Sequence, residues 1–329
     1  MDVTVAPWEI ESMWQDLFDF YRQLDMALLI SGILEFIISL LGLAGNAVVL
    51  WLLAFHMKRN AFSVYILNLA GADFVCLCTH MVSSIMHLIR YSEIYPRNLL
   101  IVFFLAFVFP YIASLNILTA INTEHCLSVL TPIWYRCHRP KHMSSVMCAL
   151  LWVLSLILTI LRMQICGLLF GEYDEYLCRL IDFSIVAWLS FSFVLGFGSS
   201  LGLLARLLCG SQKIKLTRLY VTIGVTVLVF LLCGLPWGIS YFLSHWMTTV
   251  SYRDIAIVLV VTNVLACVNS CANPIIYFFV GSYRQQRRQQ RRSLKLILQR
   301  ALQDVPGEYV NQGSPPQETL KKSGNTNMA

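Results

Sequence analysis

Residues 66–77 read ILNLAGADFVCL, an apolar run that carries one acidic residue, Asp73. The run lies in a longer apolar segment, 63–89, and about 20 such residues cross the hydrocarbon region of a bilayer as a helix. An acid at the centre of such a helix costs about 2.5–3.5 kcal/mol on insertion scales, so it must face polar partners inside a bundle. The stretch therefore predicts a membrane-embedded helix bundle with polar contacts in its interior.

The composition of the whole chain agrees with a membrane protein. Of 329 residues, 57% are hydrophobic and 13% are charged, and the mean hydropathy is +0.67, whereas soluble domains are about 25% charged. Seven apolar segments reach membrane length, which predicts an all-α fold with seven transmembrane helices. These segments are 27–55, 63–89, 98–128, 144–161, 183–209, 217–245 and 255–280. No part of the chain is typical of a nucleic-acid-binding domain, so no nucleic-acid partner is expected.

The Lys and Arg residues predict an orientation. With the N-terminus outside, the outer connections hold six of them, and the inner connections with the C-terminal tail hold eighteen. Cytoplasmic segments concentrate positive charge, so we expect a multi-pass plasma-membrane protein with an extracellular N-terminus and a cytoplasmic C-terminus. The predicted parts are an acidic extracellular tail (1–26), a seven-helix transmembrane domain (27–281), a basic amphipathic membrane-surface helix (282–303) and a disordered cytoplasmic tail (304–329).

Polar residues recur inside the other apolar segments. They are Asn46 in the first, Ser114 in the third, and Asn269, Ser270 and Asn273 in the seventh. Pro236 and Pro274 each remove one backbone donor from a helix. Two interpretations stay open for these groups: interhelical hydrogen bonds and kinks alone, or a bundle whose helices pivot between two arrangements.

Two cysteines, Cys166 and Cys178, lie in the outer connection between the fourth and fifth segments. We expect a disulfide there, worth about 3 kcal/mol on chain-entropy grounds; two free thiols are the alternative. The histidines share no helix face with cysteines or acids at metal-ligand spacing, so neither a metal site nor catalytic residues are expected. A transporter using Asp73 and Glu35 is a distant alternative, which the lack of an internal repeat argues against.

Short motifs in order along the chain resemble those of the rhodopsin-like G-protein-coupled receptors. They are GNxxV with Asn46, LAxxD with Asp73, Trp152, Pro236, and NPxxY from Asn273 to Tyr277. The order and spacing of these motifs extend the resemblance over residues 27–302. Longer stretches, among them NAFSVYILNLAGADF and LSVLTPIWYRCHRP, are similar to the Mas-related subfamily. The resemblance implies a receptor for a peptide or small-molecule agonist that couples to heterotrimeric G proteins (Gq, Gi or both), within a setting of nociception, itch or mast-cell responses. Arrestin and membrane lipids are further candidate partners.

The same resemblance implies an activation switch. The subfamily's acid-Arg-Cys triplet falls on Glu124, His125 and Cys126, so a histidine stands where the family has an arginine. Histidine is mostly neutral at pH 7. We expect Glu124 and His125 to hold the resting state weakly and coupling to persist at reduced efficiency; the alternative is a receptor-like protein that has lost coupling and modulates partner receptors. The other switch candidates are Pro236, Asn273, Pro274 and Tyr277.

A ligand site is implied at the outer end. Asp182 matches a subfamily acid that contacts cationic ligands, whereas the second such acid is replaced by Arg162. Carboxylate-bearing ligands therefore become plausible beside basic or amphipathic ones, in a shallow, broadly tuned site. Aromatic candidates for this site are Phe107, Trp188, Trp237, Tyr241 and Trp246. No cofactor is expected, except that the polar network of Asn46, Asp73, Ser114, Asn269 and Ser270 is a candidate site for Na⁺ at Asp73.

Overall fold

A computed structural model describes residues 7–56, 61–89, 97–208 (except 170 and 172), 225 and 228–285. Its helices are α1 (Pro7–Trp51), α2 (Ala61–Leu88), α3 (Arg97–Leu130), α4 (Pro132–Cys137), α5 (Met143–Ile165), α6 (Glu175–Leu208), α7 (Leu235–Ser244) and α8 (Tyr252–Gln285). Two π-helical turns, Leu52–His56 and Phe230–Gly234, follow α1 and precede α7.

The predicted all-α bundle of membrane-spanning helices is confirmed. Within the described residues, six helices are long and apolar enough to cross a membrane, in α1, α2, α3, α5, α6 and α8. The predicted sixth segment, 217–245, is described at 225 and from 228 onward, where it contains α7. Of the predicted membrane-surface helix (282–303), residues 282–285 are described and continue α8; its remainder and the predicted C-terminal tail lie outside the described residues. The helix α1 begins at Pro7, within the predicted N-terminal tail, and the domain boundaries remain predictions.

Helix α3 forms the centre of the bundle. It packs against α2, α5 and α6, and 61% of its membrane window is buried, against 22% for α5. Its inward residues Ile112, Leu115 and Leu118 belong to the main apolar core. The outward face of α5, by contrast, exposes Leu150 and Val153, as expected for side chains that contact lipid.

Pro236 lies where the backbone changes from a π-helical turn to α7. Proline cannot donate a backbone hydrogen bond, and its ring clashes with the carbonyl one turn earlier. The turn Phe230–Gly234 ends just before Leu235 and Pro236, so a wider backbone turn accompanies the proline. Pro274, in contrast, lies within a continuous α8.

Helices α1, α2 and α8 approach closely at Gly42. A Cβ atom on Gly42 would lie 2.8 Å from Leu77 Cδ1 and 3.2 Å from the Cα of Cys271. A methyl group at this position would therefore require both the Leu77 side chain and the α8 backbone at Cys271 to shift. Gly71 on α2 differs, because nothing lies within 4 Å of the position that its Cβ would take.

This contrast gives a stability prediction. We expect Gly42→Ala to destabilise the fold by about 1–3 kcal/mol, because the added methyl group overpacks a helix contact. Gly71→Ala is the matched control and should be neutral or stabilising by about 0.5–1 kcal/mol, since alanine favours the helix. Apparent unfolding temperatures of the detergent-purified variants test this, and equal temperatures for the two would contradict the packing.

Candidate functional site

The carboxylate of Asp73 connects three helices at the centre of the bundle. It is fully buried, and its Oδ1 accepts a hydrogen bond from Ser114 Oγ on α3 at 2.7 Å. Its Oδ2 accepts one from Asn273 Nδ2 on α8 at 2.8 Å. The interhelical partners predicted for Asp73 are thus supplied by neutral donors.

A second set of bonds ties α1 to α8. Asn46 Nδ2 donates to the carbonyl of Gly42 at 3.0 Å and to that of Ser270 at 3.1 Å. Asn269 lies apart from this set, because its side-chain oxygen faces Gly234 at the start of α7. The structure therefore brings together most of the predicted polar network and places Asn269 against the sixth segment.

At one end of the bundle, Glu124 makes a buried ion pair with Arg139. Glu124 Oε1 accepts hydrogen bonds from Arg139 Nε at 2.6 Å and from the Tyr135 hydroxyl at 2.8 Å, and Arg139 Nη2 also lies against it. Burial, together with the negative charge of Glu124, raises the pKa of Tyr135 above its ordinary value. Tyr135 therefore keeps the proton that it donates.

The expected pairing of Glu124 with His125 is not formed. The His125 ring stacks on Phe62 of α2, with ring centroids 4.3 Å apart, and its Nδ1 is buried without a hydrogen-bond partner. Neighbouring positions on a helix point about 100° apart, so the two side chains reach different surroundings. Cys126 is buried and faces Gly202 of α6.

At the opposite end, Asp182 is held by Arg162. Arg162 Nε donates to Asp182 Oδ1 at 2.7 Å, and Trp246 Nε1 donates to Oδ2 at 3.0 Å. Asp182 is only 1% exposed. Both oxygens of the predicted ligand-binding acid are therefore occupied by groups of the protein itself.

The predicted disulfide is present beside this ion pair. Cys166 and Cys178 are joined with an S–S distance of 2.05 Å, and Cys178 Sγ lies 4.0 Å from Asp182 Oδ2. These three residues form the one cluster of candidate metal ligands in the described part of the chain. Both sulfurs are bonded to each other, however, so neither is a thiolate that could bind a metal.

Most of the predicted aromatic residues meet in one cluster. Trp237 stacks on Tyr241 at 4.8 Å and contacts Phe107 edge-on at 4.7 Å. The Arg162 guanidinium lies 5.2 Å from the centre of the Tyr241 ring. Trp188 does not join them, because its Nε1 donates to Asn116 Oδ1 in a different part of the bundle.

Two further residues complete these sites although the sequence analysis did not select them. The Tyr111 hydroxyl donates to the carbonyl of Gly234 at 2.5 Å and accepts from the Gly238 N–H at 3.0 Å, and so clamps α3 to the backbone around Pro236. Arg139 follows Glu124 by 15 residues, and its charge was assigned only to membrane orientation.

Tyr277, a predicted switch residue, lies on α8, but its side chain is outside the described residues.

Comparison with known proteins identifies the class. The family model for the seven-transmembrane receptors of the rhodopsin family matches residues 45–277, so the chain belongs to that family. It is therefore a signalling receptor of the membrane and not an enzyme, and its family implies agonist binding and coupling to heterotrimeric G proteins.

The relatives narrow the family further. The chain is 50% identical over 328 residues, 99% of both chains, to "Mas-related G-protein coupled receptor member X2" of Rhinopithecus bieti. It is 53% identical over 292 residues, 89% of both chains, to member X1 of Homo sapiens. It is 52% identical over 289 residues, 87% of this chain and 94% of the relative, to member A6 of Mus musculus. The chain thus belongs to the Mas-related G-protein-coupled receptors.

Proposed function

We propose that this receptor responds to amphipathic peptides or small molecules that present an acceptor such as a carboxylate together with a basic group, and that simple cations act on it weakly. The observation that carries the proposal is the buried ion pair between Arg162 and Asp182. It neutralises the acid through which a cationic ligand would otherwise bind.

The geometry supports the expectation that a lone cation is a poor ligand. A cation that bound Asp182 would have to displace Arg162, and the separated guanidinium would lose its charged partner in a largely buried place. Leaving one member of a buried pair without compensation is strongly unfavourable. A ligand with both signs of charge can pair with both residues, whereas a cation can pair with only one.

The aromatic residues beside the pair favour ligands with an apolar part. Tyr241 and Trp246 are both partly exposed, and each contacts a member of the ion pair. Aromatic rings in such a position bind apolar groups by burying apolar surface, and they bind cations through cation–π attraction to the ring face. An amphipathic ligand with a basic group can make both kinds of contact.

Removing Arg162 should therefore make the receptor more sensitive to basic ligands. We expect Arg162→Gln to increase the potency of an arginine-rich amphipathic peptide about 10-fold or more, because one charge-assisted hydrogen bond corresponds to about 1.5–3 kcal/mol. Concentration–response curves for G-protein dissociation measure this. Combining Arg162→Gln with Asp182→Asn should abolish this increase in potency.

Arg253→Gln is the matched control. Arg253 carries the same charge at the same end of the bundle, but it is exposed and donates a hydrogen bond to Gln23 of α1. Interactions of exposed charges contribute little, so this variant should change potency only slightly. Equal effects of the Arg162 and Arg253 variants would overturn the proposed ligand class.

We also propose that the Glu124 end faces the cytoplasm and couples to Gq, Gi or both, with arrestin as a second partner, in the plasma membrane. The excess of Lys and Arg in the predicted inner segments supports this orientation. The pair of Glu124 with Arg139 supports a resting-state contact that does not need an arginine at position 125. The rival function is a receptor that modulates partner receptors without coupling.

G-protein dissociation in cells distinguishes these functions. We expect an agonist response from the natural chain, and a larger one from His125→Arg, because a permanent charge replaces a mostly neutral ring. An N-terminal epitope tag detected on intact cells tests the orientation. It also measures surface expression, so that the variants are compared at equal levels. No response from the natural chain, with a response restored by His125→Arg, would favour the rival function.

We further propose that Na⁺ binds at Asp73 in the resting receptor. The residues fit a cation, because the carboxylate is fully buried and the neutral side chains of Ser114 and Asn273 donate hydrogen bonds to it. Carboxylate and hydroxyl oxygens are ligands that hard cations prefer. Replacing Na⁺ by N-methylglucamine in the same assay should raise agonist potency in the natural chain but not in Asp73→Asn; equal shifts would exclude the site.

A further inference from the structure

Two exposed tyrosines lie in the connection between α5 and α6, at the disulfide end of the bundle. Residues 171–177 read GEYDEYL, and Tyr173 and Tyr176 are 51% and 74% exposed. The disulfide of Cys166 with Cys178 encloses both. Disulfides form in the oxidising lumen of the secretory pathway and persist at the cell surface. Under the proposed orientation, both tyrosines therefore pass through that lumen, where enzymes can modify them.

Tyr173 has acidic neighbours on both sides. Glu172 precedes it, and Asp174 and Glu175 follow it. No lysine or arginine lies within five residues of Tyr173 in the sequence. The phenol of Tyr173 is therefore presented in a negatively charged stretch of chain, which a basic surface attracts and an acidic surface repels.

The backbone around Tyr173 is a turn and not a helix. Gly171, two residues earlier, has a φ of 79°, a left-handed conformation that glycine adopts without strain. Tyr173 makes an isolated antiparallel bridge with Cys166, and α6 begins only at Glu175. Tyr176, by contrast, lies in the first turn of that helix. An enzyme that takes up an extended segment can therefore reach Tyr173 more readily than Tyr176.

We propose that Tyr173 is a sulfation site, modified in the secretory lumen by a sulfotransferase whose donor is an adenosine phosphosulfate. That donor carries several negative charges, so the enzyme's cleft is basic and favours an acceptor flanked by acids. The phenol oxygen attacks the sulfur of the donor, the bond from sulfur to the phosphate oxygen breaks, and adenosine bisphosphate leaves. The phenol proton passes to a base of the enzyme, and the product is a tyrosine sulfate ester.

The structure places a hydrogen-bonding group where the sulfate would lie. The Tyr173 hydroxyl oxygen is 3.4 Å from His245 Nε2, and the His245 ring contacts Trp246 edge-on at 4.8 Å. The Arg179 guanidinium lies 4.9 Å from the centre of the Trp246 ring. With a hydrogen on Nε2, His245 can donate to the sulfate, and such bonds to a charged group are the stronger kind. Sulfation would thus tie the loop to the outer end of the sixth segment.

The sulfate would also extend the ligand site outward. Trp246 contacts His245 on one side and donates to Asp182 Oδ2 on the other. Asp182 is neutralised by Arg162, whereas a sulfate on Tyr173 is a separate acid at the exposed surface. The basic group of an amphipathic ligand can meet this acid first. This role rests on the proposed ligand class, but the modification itself does not.

Mass spectrometry of the full-length receptor from mammalian cells tests the modification. Cleavage after Lys and Arg releases residues 163–179 as one peptide, and fragmentation that retains the sulfate distinguishes Tyr173 from Tyr176. We expect sulfate on Tyr173, and chlorate, which blocks synthesis of the donor, should abolish it. An unmodified peptide, a phosphate in place of the sulfate, or sulfate on Tyr176 alone would overturn the proposal.

Tyr252→Phe is the matched control for incorporation of radioactive sulfate. Tyr252 is 76% exposed at the same end of the bundle, but Arg253 follows it. Tyr173→Phe should remove most of the label, whereas Tyr252→Phe should not, and equal label in the two variants would overturn the assignment. Asp174→Asn should lower incorporation several-fold. Asparagine can still accept the hydrogen bond that the Leu177 N–H donates to Asp174, so undiminished label would contradict recognition by charge.

The role in ligand binding has a separate readout. The modification is measured without agonist or G protein, so failure of the proposed ligand class would leave that result standing. Tyr173→Phe should lower the potency of an arginine-rich amphipathic peptide about 2- to 5-fold, because the contact is exposed. Chlorate should lower potency equally in the natural chain and have no further effect in Tyr173→Phe. A sulfated receptor whose potency neither treatment changes would overturn the ligand role.

Discussion

The arrangement of the helices depends on the hydrogen bonds that Ser114 and Asn273 donate to the Asp73 carboxylate. A buried carboxylate in a membrane requires partners for both oxygens, and these partners come from α3 and α8. These hydrogen bonds set the positions of α2, α3 and α8 relative to one another along the helix axes. Close packing at Gly42 then aligns α1 with α2 and α8. The two ends of the bundle are built on this fixed centre.

Each end of the bundle contains an acid that is held by an arginine of the receptor. Arg162 holds Asp182 at the disulfide end, and Arg139 holds Glu124 at the other. The resemblance implied that each of these acids would meet another charge, and in the structure an internal arginine occupies each one. Under the proposed function, agonist binding and G-protein coupling would each begin by disturbing an existing ion pair.

The sequence predicted those features that depend on composition and local spacing. Membrane length, the polar residues at matching depth and the disulfide of Cys166 with Cys178 are properties of this kind. The pairing of Arg162 with Asp182 was not predicted although both residues were selected, because they lie on different helices and their distance depends on the tilt of α5 against α6. Arg139 was missed for a related reason: the short helix α4 turns the chain back toward Glu124.

The central claim is that Arg162 neutralises Asp182 within the receptor. The most direct measurement is the apparent unfolding temperature of purified receptors carrying Arg162→Asp, Asp182→Arg and both substitutions together. Each single change places two like charges side by side, whereas the exchange restores opposite charges. We predict a coupling of about 1–3 kcal/mol, as found for contacting charged residues, so that the exchanged receptor is more stable than either single variant. Additive destabilisation in the double variant would contradict the account.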